Sequence, residues 1–247
     1  MKIGLQLYNF RNALKEDFRG AMKEIAKFDV DGVELAGNYG DMEPEELKAF
    51  LSELKLECAG TMFPADALRD SGHIAYRYAK ALNTPALTCS AFVSSFEEWQ
   101  KIIETVRICG ANAAEIGKVF SYHNHWTEFA LHEGKTYMDI LLESTDPAQV
   151  LMEPDICWLY RSGVNPVDFI RKYASRIRQV HLKDIVVPTD GKTTTELGNG
   201  VVPVLPVLNM VHEIPLCQWL ICEQDNSPDP FASAAKSLAF LKKNFKK

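Results

Sequence analysis

The chain has 247 residues, 47% of them hydrophobic and 24% charged, with a formal net charge of −6. That balance fits one globular domain over residues 1–247 with a large apolar core. It excludes the basic footprint of a nucleic-acid binder, and no apolar run approaches the length of a membrane span. Cys58, Cys89, Cys109, Cys157, Cys217 and Cys222 form no CxxC pair and sit mostly within apolar runs. They read as buried free thiols, the usage of a reducing compartment. The first strand begins directly after Met1 and Lys2 with no apolar leader region, so the cytoplasm is the expected location.

Apolar runs of strand character alternate with stretches of helical period along the chain. IGLQLY (3–8) opens it. A helix over Asp17 to Phe28 precedes DGVEL (31–35), and one from Pro44 to Leu54 precedes LECAGTMF (56–63). ALTCS (86–90) follows, then a helix on which Trp99, Ile102, Ile103, Val106 and Cys109 fall at helical intervals, with Gly110 as the expected stop. KVFSYHNH (118–125), VLMEP (150–154), RQVHLK (178–183) and QWLICEQ (218–224) complete eight strands. Near the end, Asp229 caps and Pro230 opens a helix carrying Ala234, Leu238 and Leu241. Eight such units predict an α/β fold, a closed (β/α)8 TIM barrel. The alternative, an open doubly wound sheet, would bring a Gly-rich phosphate turn after an early strand, and the chain has none. Pro154 cannot donate to a ladder and therefore marks where the sixth strand ends.

Four of these strands finish on residues that hold metals or move protons: His123 and His125, then Asp155, then His181, then Glu223. Active sites of such barrels form at the C-terminal ends of the strands. Side chains two apart share a face, which groups Glu153 with Asp155, Gln179 with His181 and Lys183, Glu223 with Asp225, and His123 with His125. Each alone has a plainer reading. A lone strand-end histidine is more often a hydrogen-bonded structural residue, and an aspartate after a strand is commonly a helix cap. Four neighbouring strands doing so together argue for a site.

The order and spacing of YHNHWTEF (Tyr122 to Phe129), Asp-x-x-Trp (Asp155, Trp158), HLKD (His181 to Asp184), ELGNG (Glu196 to Gly200) and CEQD (Cys222 to Asp225) resemble a known family. It is the xylose isomerase-like barrels, the sugar phosphate isomerase/epimerase superfamily, which includes inosose dehydratase and ketose 3-epimerases. The resemblance covers essentially the whole chain. It implies one divalent ion held at the ends of strands five to eight by a carboxylate, an aspartate, a histidine and a glutamate. Asp155, His181 and Glu223 match, whereas His123 stands where the epimerases place a glutamate. Those epimerases use the fifth- and eighth-strand glutamates as opposed acid/base groups, so the histidine gives weight to a dehydratase outcome. Glu128 restores a carboxylate only if its loop folds back; otherwise it is a solvated loop residue.

The expected ligands are thus His123, Asp155, His181 and Glu223, a mixed oxygen and imidazole shell that favours Mn²⁺, with Co²⁺ or Zn²⁺ next, over Ca²⁺. The expected enzyme is a sugar isomerase or epimerase that removes the proton beside a carbonyl of a keto-sugar or cyclitol, through an enediolate stabilised by the ion. Dehydration of the inosose dehydratase type is the alternative; a nuclease and a non-catalytic sugar-binding barrel rank lower. Glu223 and His125 are the acid/base candidates. Lys183 is a candidate for neutralising an oxyanion or protonating a leaving hydroxyl, against a plain salt bridge to Asp184 or Glu153. Around them, Glu34 is expected to bind substrate hydroxyls or to pair with Arg11, and Gln6 and Tyr8 to line the pocket floor. Trp158 stacks on a sugar ring or packs in the core. The loop from Asp184 to Val202, with Gly191, Gly198 and Gly200, suits a lid that carries Glu196 inward. The expected partner is a small sugar or cyclitol, and a homodimer stays open.

Overall fold

The computed structural model describes residues 1–187 and 193–245, so Gly191 of the expected lid lies outside the described residues. The eight barrel strands are β1 (Lys2–Gln6), β2 (Gly32–Ala36), β3 (Glu57–Met62), β4 (Leu87–Cys89), β5 (Phe120–His123), β6 (Val150–Glu153), β7 (Gln179–Leu182) and β8 (Trp219–Cys222). They form one parallel sheet in the order β6-β5-β4-β3-β2-β1-β8-β7. Single bridges, Met152 to Ile177 and Asp155 to His181, draw β6 and β7 together and bring the barrel close to closure. The TIM barrel expected from the alternation is therefore the fold. Strands such as β5, β6 and β8 are buried along their whole length, as strands with helices outside and packed side chains inside must be.

The helix ends follow their capping chemistry. Asp17 caps the helix Phe18–Ile25 by accepting from the Gly20 N–H, and Asp229 caps Pro230–Asn244 through the Ala232 N–H. Gly110 does not stop its helix, which runs on from Phe96 to Glu115. The glycine serves packing instead: a Cβ there would lie 2.8 Å from Val150 Cγ2 on β6. Pro154 does mark the strand exit, since β6 ends at Glu153 and the Pro154 carbonyl accepts the His181 N–H at 2.9 Å. All six cysteines are free thiols. Among the described residues no helix is long and apolar enough to cross a membrane.

Two departures from a regular barrel prepare the site. The β2–β3 ladder shifts register between Val33 and Glu34, whose partners are Cys58 and Gly60, so Ala59 is an extra residue on β3. Bulges of this kind re-aim neighbouring groups. The Ala59 carbonyl accepts from Gln179 Nε2 at 2.6 Å, and Gly60 leaves room for Glu34, because a Cβ there would fall 2.1 Å from Glu34 Oε1. The second departure is chemical. Barrel interiors are packed mainly by branched apolar side chains, yet here buried polar groups reach down to Gln179, the first residue of β7.

Candidate metal centre and pocket

Asp155 follows Pro154 at the top of β6. Its Oδ1 accepts the N–H groups of Cys157 (2.9 Å) and Trp158 (3.3 Å), capping the helix Ile156–Arg161. The cap and site readings of this aspartate are therefore compatible: one oxygen is spent on the helix, and Oδ2 remains. Lys183 Nζ approaches Oδ2 to 3.0 Å, outside hydrogen-bond alignment, which leaves this buried oxygen without a hydrogen bond.

His181 is fully buried and engaged on both ring nitrogens. Nδ1 lies 2.7 Å from Glu223 Oε2, and Nε2 lies 2.7 Å from Glu34 Oε2 and 2.9 Å from Glu153 Oε1. Burial alone would discharge the ring, but Glu153 and Glu34 outweigh it and hold its pKa well above the usual histidine range. His123 is the reverse case. Its Nδ1 has no hydrogen bond, with Glu153 Oε1 3.3 Å away, and its Nε2 is 4.0 Å from Asp155 Oδ2. Burial and the neighbouring His181 hold its pKa well below the usual value.

One ligand atom from each of His123, Asp155, His181 and Glu223 lies within 4.8 Å of the others. Two imidazoles and two carboxylates are the donor set of a divalent-metal site. The orphaned Asp155 Oδ2 and His123 nitrogen are the kind of buried atom that such an ion satisfies. All four residues named from the sequence converge here. A second set, Glu34, Glu153 and His181, is equally close, but it is already occupied by donors: Gln6 Nε2 and Gln179 Nε2 reach Glu34 at 2.7 and 3.2 Å, and Thr88 Oγ1 reaches Glu153 at 3.1 Å. It forms the seat of His181 rather than a separate centre.

Lys183 is paired with neither Asp184 nor Glu153. Its Nζ sits between Asp155 (3.0 Å), Glu223 (3.2 Å) and Asp225 (3.0 Å) and 4.6 Å from the Trp158 ring. Burial opposes its charge, but Asp155, Asp225 and Glu223 hold its pKa well above the usual lysine range. Lys183 in turn keeps Glu223 ionised far below the ordinary carboxylate range, against the opposing pull of burial. Asp184 has a different task. Its carboxylate accepts the N–H groups of Gly198, Gly200 and Val202, which ties the described part of the long loop down onto the barrel.

Above this floor opens a cavity of about 540 Å³ whose lining includes His123, His125, Lys183, Glu223 and Asp225, with Tyr8, Phe63, Phe92, Trp126 and Trp158 as aromatic walls. Gln6 lines its base, but Tyr8 is 44% exposed and belongs to the rim rather than the floor. Trp158 is buried and also faces the cavity. His125 stacks on Phe92 at 4.0 Å; burial, then Lys183, lowers its pKa to about 4, so the ring is a neutral imidazole.

Three further expectations change. Glu34 does not pair with Arg11, which binds the carbonyls of Tyr8 and Asp225; it lies buried beneath the pocket against His181. Glu196 is not carried inward, because Ser233 and Lys236 of the last helix hold it at 3.1 and 2.9 Å. Glu128 is neither a ligand nor solvated: it is buried and accepts from the Tyr122 hydroxyl (3.0 Å), the His125 N–H (3.1 Å) and the Thr127 hydroxyl (3.0 Å). Sequence reasoning missed Glu153 and Asp225 as working members of the site. The signal was present, since each shares a strand face with a named ligand two positions away.

Residues 22–244 match the xylose isomerase-like TIM barrel family. The chain belongs to that family. An inosose dehydratase of Geobacillus thermodenitrificans (strain NG80-2) is 29% identical over 165 residues, 59% of this chain and 54% of that protein, so the match spans about half that relative's length. Among solved structures, a sugar phosphate isomerase/epimerase from Parabacteroides distasonis ATCC 8503 superposes with a TM-score of 0.82 at 18% identity, covering 98% of both chains. An IOLI protein with a bound zinc atom superposes with a TM-score of 0.73 at 12% identity over the full length of both. At these identities the superpositions show the shared barrel.

Proposed function

We propose that this protein is a metal-dependent dehydratase of a keto-sugar or cyclitol ketone. The carrying observation is that β5 offers the pocket imidazoles and no carboxylate: Glu128 is turned away onto Tyr122, while His123 and His125 line the cavity. His123, Asp155, His181 and Glu223 hold the ion, with Mn²⁺ as the proposed metal and Zn²⁺ or Co²⁺ as alternatives. When bound, the ion supplies Lewis-acid polarisation of the carbonyl.

The chain's own residues do the rest. His125, neutral and half-buried in an aromatic wall, takes the proton from the carbon beside the carbonyl. Lys183, a fixed positive charge beside Glu223, stabilises the negative charge that this step leaves on the substrate oxygen. His125, now protonated, returns the proton to the hydroxyl on the next carbon. The C–O bond breaks, water leaves and a C=C bond forms in conjugation with the carbonyl, with no net redox change. Trp158, Trp126 and Phe92 stack on the ring and exclude bulk water.

An epimerase is the second reading, because the ionised Glu223 carboxylate also lines the pocket and with His125 makes a pair of proton carriers. One experiment separates the two. Metal-loaded enzyme is incubated with an inosose in D₂O and followed by mass spectrometry. Dehydration gives a product lighter by one water, and His125→Ala abolishes it while the ion stays bound. A product of unchanged skeleton mass carrying deuterium at an inverted centre means epimerisation. Turnover with neither water loss nor deuterium uptake refutes both readings, leaving hydride transfer or a base shielded from solvent.

A further inference from the structure

At the opposite, N-terminal end of the barrel lies a separate cavity of about 400 Å³, lined by Lys2, Glu57, Asn83, Lys118 and Arg178 among others. Its charge is out of balance, with three cations against one carboxylate, in a chain whose net charge is −6. Lys2 and Glu57 neutralise each other in an ion pair. Among the described residues Lys118 has a neutral hydrogen-bond partner, the Asn83 side-chain oxygen at 2.7 Å. Arg178, half-buried at the entrance to β7, has its Nε sealed from solvent with no acceptor among the described residues.

A buried donor without a partner calls for an explanation, commonly a missing water or ion. Two cations sharing a cavity repel, and a polar cavity retains them at a cost unless an anion sits between them. Burial depresses the pKa of both, and Arg178 adds to the effect on Lys118. The excess of two positive charges is balanced by a dianion, and a guanidinium beside an ammonium is the donor pair that phosphoryl oxygens accept from.

We propose that this cavity is a binding site for a phosphate-class dianion, either inorganic phosphate or the phosphoryl group of a small metabolite, held by Arg178 and Lys118. The cavity is roomier than a phosphate ion needs, so the two sources are tested as separate arms. Metal-loaded protein is titrated with inorganic phosphate and with glucose 6-phosphate, against chloride at matched ionic strength, by calorimetry and thermal melting. Saturable binding with a raised melting temperature is expected in at least one arm. Which arm binds identifies the source. Arg178→Gln and Lys118→Gln should each weaken that binding at least about tenfold, the effect of losing a charge-assisted hydrogen bond. Both variants should keep the melting temperature measured in chloride and the basal turnover. Arg178→Lys, which keeps the charge but loses the fork, should fall between. Because phosphate also binds metals, the same titration is run on Glu223→Gln. Binding that survives there and fails in the Arg178 and Lys118 variants supports the site. No saturable binding by either probe overturns it, as does binding that survives both substitutions or disappears only in Glu223→Gln.

Discussion

Two histidines on the strands that flank β6 face the same cluster in opposite states. His181 on β7 is fixed from both sides by Glu223, Glu34 and Glu153, so its ring plane is set before any ion arrives. His123 on β5 has a buried nitrogen with no hydrogen bond and nothing of comparable strength to orient it. The contrast separates two ways of making a ligand. One is pre-organised by carboxylates beneath it, the arrangement that orients metal-bound imidazoles and raises their basicity; the other is held by packing and by the looser approach of Glu153 and Asp155. Substitutions at the two positions should therefore differ in what they cost the fold, even where they cost the same ion.

The largest effect is expected at His181. His181→Ala leaves Glu223, Glu34 and Glu153 buried beside one another without their shared partner, a loss on the order of 3–5 kcal/mol of stability in addition to the bound metal. His123→Ala should also lose metal but cost less than half as much stability, because no hydrogen bond is broken. Urea melts and elemental analysis of the two variants check this, and equal destabilisation would remove the contrast. Asp155→Ala should lose the ion and fray the helix Ile156–Arg161, since the same side chain caps it; the loss of a cap costs about 1 kcal/mol.

A finer test falls on Glu34, which touches His181 from below the pocket. A glutamine there has one acceptor where the structure needs several, because His181, Gln6 and Gln179 all approach the carboxylate. Glu34→Gln should weaken metal affinity roughly 10–100-fold and lower stability by about 1–3 kcal/mol through the mismatched donor. Affinity measured by competition with a metal indicator decides it. Unchanged affinity would mean that Glu34 serves only the core.

Much of this was legible in the residues. The eight strand runs, the caps at Asp17 and Asp229 and the convergence of His123, Asp155, His181 and Glu223 follow from local pattern: period two along strands, capping chemistry at helix starts, and the rule that barrel sites sit at strand ends. What escaped depends on which distant segments meet. Glu34 reaches His181 across 147 positions, and its approach depends on the extra residue Ala59 on β3, neither of which leaves a mark within a ten-residue window. Glu196 looked like part of a lid because its loop is long and glycine-rich, but Lys236 on the last helix claims it. Gly110 looked like a helix stop because glycine often is one, whereas a crowded helix–strand contact also selects it.

Glu128 carries the smallest expected effect. It is a carboxyl placed where a ligand would be convenient and used otherwise, so its role is best read through stability. Burial raises its pKa from 4.5 to about 7, against the hydrogen bonds from His125, Tyr122 and Thr127 that favour the charged form. In the unfolded chain it ionises near 4.5, so between about pH 4.5 and 7 the folded state binds more protons than the unfolded one. Stability then falls as pH rises through that window and levels off above it, by at most about 3 kcal/mol from this group. Glu128→Gln removes the titration while its amide oxygen still accepts from Tyr122 and His125. Urea melts at pH 5 and pH 8 should show the wild type losing more stability over the interval than the variant. The cluster of His123, Asp155, His181 and Glu223, present in both proteins, cancels from that difference. Parallel losses would mean that Glu128 stays ionised throughout and that its hydrogen bonds outweigh its burial.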